Sequence, residues 1–191
     1  MAIIAPEFYA KNRAELRAWL AKNHETESSV WLIYDKGKNR TLSYDEIVEE
    51  VLCFGWIDSV PAKLSNTQSK LYISKRKPKS VWSKTNKVRV EKLLKAKLMT
   101  SSGMQAIEVA KQNGSWDALN RSDNFEIPPE LEALFLKHPK AKEFYEGLSP
   151  SSHKIILEWI YQAKTDETKM KRIHETVDLA EQGVKAHHYR Q

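Results

Sequence analysis

The character of this chain changes once, and that change limits the folds open to it. Every stretch with strand composition lies before residue 76: "SVWLIY" (29–34), "WIDSV" (56–60) and "KLYISK" (70–75). Each is short and rich in β-branched or aromatic residues. After Trp116 comes "NRSDNFEIPPE" (120–130), whose double proline and turn formers read as a boundary. Beyond it nothing resembles a strand. The pattern predicts an α+β protein, with a small antiparallel sheet and helices in residues 1–122 and an all-helical module in 123–191. A length of 191 residues is enough for one domain with a real core or two small ones.

Periodicity and punctuation predict the helices. A first helix runs from about 10 to 23, with Leu16, Trp19 and Leu20 on one face behind Phe8 and Tyr9. Ser43 and Glu46 have capping-box spacing, each able to satisfy a free backbone donor of the other. The helix they open carries Ile47, Val48, Val51 and Leu52 on one stripe and stops at Gly55. "WIDSV" is then a strand ended by Pro61, paired with "KLYISK" across "AKLSNTQS". Helices follow at about 84–98, through Val90, Leu93, Leu94 and Leu98, and at 102–113, with Ile107 and Ala110 inward. In the second half Pro128–Pro129, Pro139, Ser149-Pro150 and Thr165 each open a helix, since proline suits a first helical position. The last helix ends at Gly183, and "KAHHYRQ" reads as a frayed tail.

Several function classes are disfavoured. No run approaches 18 apolar residues, so no membrane helix is expected. "MAIIAPEFYAKN" lacks the basic region and long apolar core of a secretion signal. The single cysteine, Cys53, excludes an internal disulfide framework and fits a reducing cytoplasm. It sits on the inner stripe of a helix with no histidine nearby in sequence, and reads as a buried thiol rather than a nucleophile. There is no phosphate-cradling glycine loop, no "HExxH" and no nucleophile elbow, and His187-His188 lack further metal ligands, so no cofactor and no metal is expected.

Charge is informative. The chain carries +6, but within 70–97 eleven basic residues face one acid, Glu91. Such a field attracts anions, whether phosphate ligands, nucleic acid or acidic proteins. The alternative is a lysine-rich solubilising face.

Two stretches combine into a candidate site. Asp58 follows a helix end inside the apolar "FGWIDSV", where a carboxylate needs a partner or its pKa rises. Arg76 and Lys75, at the end of the next strand, are the nearest basic groups by topology. The expected cleft pairs Asp58 with Arg76 and is lined by Trp56 and Trp82. Lys77 and Lys79 supply charge to anionic groups, Trp82 a stacking face, and Ser83 and Asn86 polar groups near a helix start. The competing reading makes Asp58 a structural or turn residue, Trp82 a core anchor and Ser83 or Thr85 a helix cap.

"LCFGWIDS" (52–59), "SKRKPKSVWSKTN" (74–86) and "SGMQAIEVAKQNGSWDAL" (102–119) closely resemble the bacterial YdeI or OmpD-associated family, also called bacteriocin-protection proteins. "LSPSSHKIILEWIYQAKTDETKMKRIHETVDLAEQG" (148–183) resembles that family's C-terminal module, so the resemblance covers almost the whole chain. It implies a two-part protein linked to envelope stress or bacteriocin tolerance, with no established reaction. The family's Phe-Thr-Pro-Arg-like run is here "ISKR" (73–76), which keeps Arg76 and loses the proline. The strongest motif positions are Gly55, Trp56, Ile57, Asp58, Arg76, Ser80, Trp82, Ser83 and Asn86. The leading expectation is a non-enzymatic cytoplasmic protein that binds an anionic ligand or acidic partner, with nucleic acid a further candidate. An enzyme using Asp58 with Arg76 is the alternative.

Overall fold

The computed structural model describes residues 3–187. The chain divides after Trp116 into two compact units.

The first unit is built on a four-stranded sheet. Strand β1 (Glu7–Tyr9) leads through helix α1 (Arg13–Asn23) to β2 (Ser29–Asp35); helix α2 (Tyr44–Cys53) precedes β3 (Trp56–Lys63) and β4 (Gln68–Lys75). Helices α3 (Lys84–Lys95) and α4 (Ser101–Gln112) complete the unit. Spatial order is β1-β2-β4-β3. The sheet is mixed, not antiparallel throughout. β1 runs parallel to β2, because α1 between them supplies the crossover that parallel neighbours need. Phe8 and Tyr9 belong to that added strand rather than to the approach to a helix.

β3 and β4 form the expected antiparallel pair, with Trp56 opposite Lys75 and Asp58 opposite Ile73. Pro61 does not end β3, which continues to Lys63. The register shifts between Asp58 and Pro61 on an edge strand, where a missing ladder donor is tolerated.

The cap residues behave as their chemistry demands. Ser43 and Glu46 close a full capping box on α2. Gly55 adopts φ +72°, and a Cβ there would come within 2.9 Å of the Ser102 carbonyl oxygen. At Gly103 a Cβ would lie 2.2 Å from the Cys53 carbonyl oxygen, so α2 and α4 meet at backbone distance. The core between sheet and helices includes Leu16, Leu20, Leu32, Ile47, Leu52, Leu71, Ile73 and Leu93. Trp56 and Trp82 are the largest fully buried side chains. Burying one such ring contributes about 4–6 kcal/mol of transfer free energy.

The second unit is helical throughout its described residues. A short helix, α5 (Asn120–Asp123), lies inside the stretch that reads as a linker. It is followed by α6 (Pro129–Lys137), α7 (Pro139–Glu146), α8 (Pro150–Tyr161) and α9 (Asp166–Glu181). Ser149 and Thr165 cap α8 and α9 through their hydroxyls. The core joins Leu131, Phe135, Tyr145, Ile156, Ile160, Ile173 and Val177. Of the expected tail, His187 stacks on Trp159 at 4.9 Å, and residues 188–191 lie outside the described residues. No helix among the described residues is long and apolar enough to cross a membrane.

Candidate functional site

Pairing of β3 with β4 brings the two sequence stretches together. The Arg76 backbone N–H donates to the Gly55 carbonyl at 3.0 Å, so the helix-ending turn and the start of the basic segment touch. Beside that contact opens a cavity of about 360 Å³. One wall is Phe54, Gly55 and Trp56; Arg76, Lys77 and Pro78 form another. His24 and Glu25, and Ser102, Gln105, Ala106 and Val109 of α4, close it.

Arg76 is half-buried, and its guanidinium lies 3.8 Å from the centre of the Trp82 ring. Its Nη1 donates to the Val81 carbonyl at 3.0 Å. Nε and Nη2, the two N–H groups that together grip an oxyanion side-on, are sealed from solvent and have no partner. The Trp82 indole N–H is sealed and unpartnered as well. Burial pushes the Arg76 pKa down to about 10, with the charge of Asp58 opposing it. Arg76 thus stays protonated at neutral pH.

The expected Asp58–Arg76 ion pair does not form. Asp58 accepts a 2.6 Å hydrogen bond from the Tyr44 hydroxyl instead. Burial, and then this bond, push the Tyr44 pKa up to about 12. Tyr44 is the first residue of α2, and the turn that starts the helix aims it at β3.

The remaining expected site residues separate. Trp56 lines the cavity while donating weakly from Nε1 to the His24 carbonyl at 3.4 Å. Trp82 is completely buried and packs on Trp116 at 5.0 Å, so its ring supports Arg76 and offers no open stacking face. Lys77 is exposed on the cavity wall, and Lys79 is exposed on the loop outside it. Ser83 caps α3, accepting from the Asn86 N–H at 3.3 Å. The Asn86 side-chain oxygen accepts from Arg89 at 3.2 Å.

Sequence reasoning missed His24, Ser102 and Gln105. His24 Nδ1 lies 2.9 Å from the Leu20 carbonyl, which can only accept, so Nδ1 carries the proton. In the neutral ring Nε2 then accepts from the Ser102 hydroxyl at 2.9 Å. Both ring nitrogens are committed to the scaffold. Lys75 is committed too, donating to the Glu25 carbonyl at 2.7 Å. Cys53 is fully buried, and burial pushes its thiol up, which suppresses the thiolate.

The cavity's volume lies within the range of about 300–1,000 Å³ that small-molecule pockets occupy. By sequence the chain belongs to the family described as Domain of unknown function (DUF8412), whose model matches residues 8–106. Residues 124–183 match a second model, Bacteriocin-protection, YdeI or OmpD-Associated (OmdA). The resemblance to that second family is therefore confined to the helical unit. "LCFGWIDS" and "SKRKPKSVWSKTN" fall in the first match, and "SGMQAIEVAKQNGSWDAL" begins at its end. Neither the curated proteins nor the solved structures hold a match to the chain.

Proposed function

We propose that this is a non-enzymatic cytoplasmic binding protein whose first unit takes up a small anion, or an acidic group of a partner, in the cavity beside Arg76. The observation that carries the reading is the pair of unpartnered guanidinium nitrogens on the Arg76 side chain. A buried charged donor left unpaired costs about 1–3 kcal/mol or more, and an anion recovers that cost. A hydrogen bond to the Val81 carbonyl and the Trp82 ring, 3.8 Å away, hold the guanidinium at the cavity wall. Lys77 at the cavity wall draws the anion in, and Phe54, Trp56, Ala106 and Val109 favour a ligand with an apolar body behind its charged head. The helical unit's match to the bacteriocin-protection family supports a role for this binding in bacteriocin or envelope-stress tolerance.

The alternative of an enzyme using Asp58 with Arg76 has less support, because the Asp58 carboxylate accepts from the Tyr44 hydroxyl and makes no ion pair with Arg76. The test is calorimetry of the full chain with acetate, benzoate, sulfate and inorganic phosphate, repeated on Arg76→Lys and Arg76→Gln. Benzoate binding that Arg76→Gln removes and Arg76→Lys weakens supports the reading. Absence of binding by all four anions, or binding indifferent to Arg76, overturns it. Tight binding of single-stranded DNA or RNA that falls steeply with salt would instead assign the basic segment to nucleic acid.

A further inference from the structure

The sheet has a second concavity, on the face turned away from the helices. It encloses about 490 Å³ and is lined by Ser28, Ser29, Ile57, Ser59, Tyr72, Ser74, Lys75, Lys77 and Ser80. Five of these nine residues are serine. Three strands contribute them: Ser29 stands opposite Ser74 across the β2–β4 ladder, and Ile57 opposite Ser74 across β3–β4. Strand positions favour β-branched and aromatic side chains by up to about 1 kcal/mol, so serine at neighbouring positions gives up packing. The loop residues Ser28 and Ser80 extend the same hydroxyl lining.

Most of these hydroxyls are uncommitted. Ser59 Oγ donates to the Tyr72 carbonyl at 3.4 Å. Those of Ser28, Ser29, Ser74, Ser80 and Tyr72 make no hydrogen bond to another described residue. Each can both donate and accept, as the hydroxyls of a sugar do. The Tyr72 ring, steadied edge-on by Trp31 at 5.3 Å, presents an apolar surface to the C–H face of a pyranose. Lys77 adds one positive charge at the end of β4, while Lys75 is bound to the Glu25 carbonyl. The volume lies within the range of about 300–1,000 Å³ that suits small-molecule ligands, and is far larger than an inorganic anion needs.

We propose that this face binds a sugar bearing one anionic group, a phosphate or a carboxylate, with the serines reading its hydroxyls and Lys77 its charge. The site shares Lys75 and Lys77 with the Arg76 cavity but opens on the other face of the sheet, and Arg76, which lines only the helix-covered cavity, separates the two.

The test is an NMR titration of the full ¹⁵N-labelled chain with glucose 6-phosphate, glucuronate, glucose and inorganic phosphate. Glucose 6-phosphate or glucuronate should bind at about millimolar affinity, with glucose and phosphate each about tenfold weaker. Shifts should centre on Ser28–Ser29 and Tyr72–Lys75. Ser74→Val, which suits a strand, and Lys77→Ala, at an exposed position, should each weaken binding about tenfold. If Ser74→Val fails to fold, Lys77→Ala with Ser80→Ala carries the test. Arg76→Gln should leave sugar binding intact while removing benzoate from the other cavity. Three results would overturn the proposal: no response to either acidic sugar, phosphate or glucose alone binding as well, or shifts centred on Ser102, Gln105 and Val109.

Discussion

The two units bury polar groups in different ways. In the first, α2 turns Glu49 and Glu50 inward until they are 5% and 2% exposed. Arg13 reaches both, at 2.8 and 2.6 Å, Arg17 holds Glu50 at 2.8 Å, and Lys92 holds Glu49 at 2.5 Å. Buried charge there is almost fully paired, which makes the unpaired nitrogens of Arg76 stand out. The second unit buries few polar groups, among them Thr176, and spends Thr176's hydroxyl on its own helix, donating to the Arg172 carbonyl at 2.8 Å. Its unpaired atoms include the Tyr145 hydroxyl. A paired network ties three helices of the first unit into one arrangement and leaves a cavity with an unused cation. The second unit rests on apolar helix packing and local caps.

That contrast can be broken in four places. Trp82→Ala should cost about 3–5 kcal/mol, because it empties a fully buried site and removes the surface under Arg76. Hydrogen exchange resolved by residue should show the loss within residues 3–116 and leave 117–187 unchanged; a uniform loss would mean the units unfold together.

Glu50→Gln should cost about 1–3 kcal/mol, less than for a fully buried pair because Arg13 and Arg17 are each about a third exposed. Acid probes the same network. Burial alone would raise the Glu49 pKa, but Lys92 and Arg13 outweigh it and the net shift is downward. A depressed carboxylate stabilises above its unfolded pKa and loses that contribution as pH falls through its folded value. The first unit should therefore lose exchange protection below the usual glutamate range, and Glu49→Gln should flatten that dependence.

Tyr145→Phe should stabilise the second unit by about 1 kcal/mol, since it deletes a buried hydroxyl without a partner. Burial holds that hydroxyl's pKa up at about 12. Denaturant melts of the pair of proteins measure the change, and a loss of stability would reveal an acceptor for the hydroxyl. Ser149→Ala should cost about 1 kcal/mol or less by uncapping α8, seen as faster exchange in its first turn and nothing in the first unit.

The helical unit was the more legible in sequence because its signals are local. A proline or a hydroxyl cap marks the starts of α6 to α9, next to the residues it caps, whereas α5 has neither and read as a linker. The capping box at Ser43–Glu46 and the stop at Gly55 were readable for the same reason. So was the antiparallel pair β3–β4, whose strands lie close together along the chain.

The candidate site was half legible. Trp56, Arg76 and Lys77, singled out from an apolar stretch and a basic one, lie around one cavity because a hairpin joins those stretches. Asp58 pointed to a partner correctly, but its partner is Tyr44, which carries no charge to advertise it. Trp82 read equally as a stacking face or a core anchor, and only burial distinguishes the two.

Composition and spacing by themselves determined the α+β division, the helix starts and the excess of positive charge, because caps, periodicity and charge act within a few residues. The parallel β1–β2 edge, the wall that α4 adds to the cavity and the stranded guanidinium of Arg76 were decided by tertiary structure alone. Each depends on groups far apart in the chain, whose meeting is set by how the whole core closes.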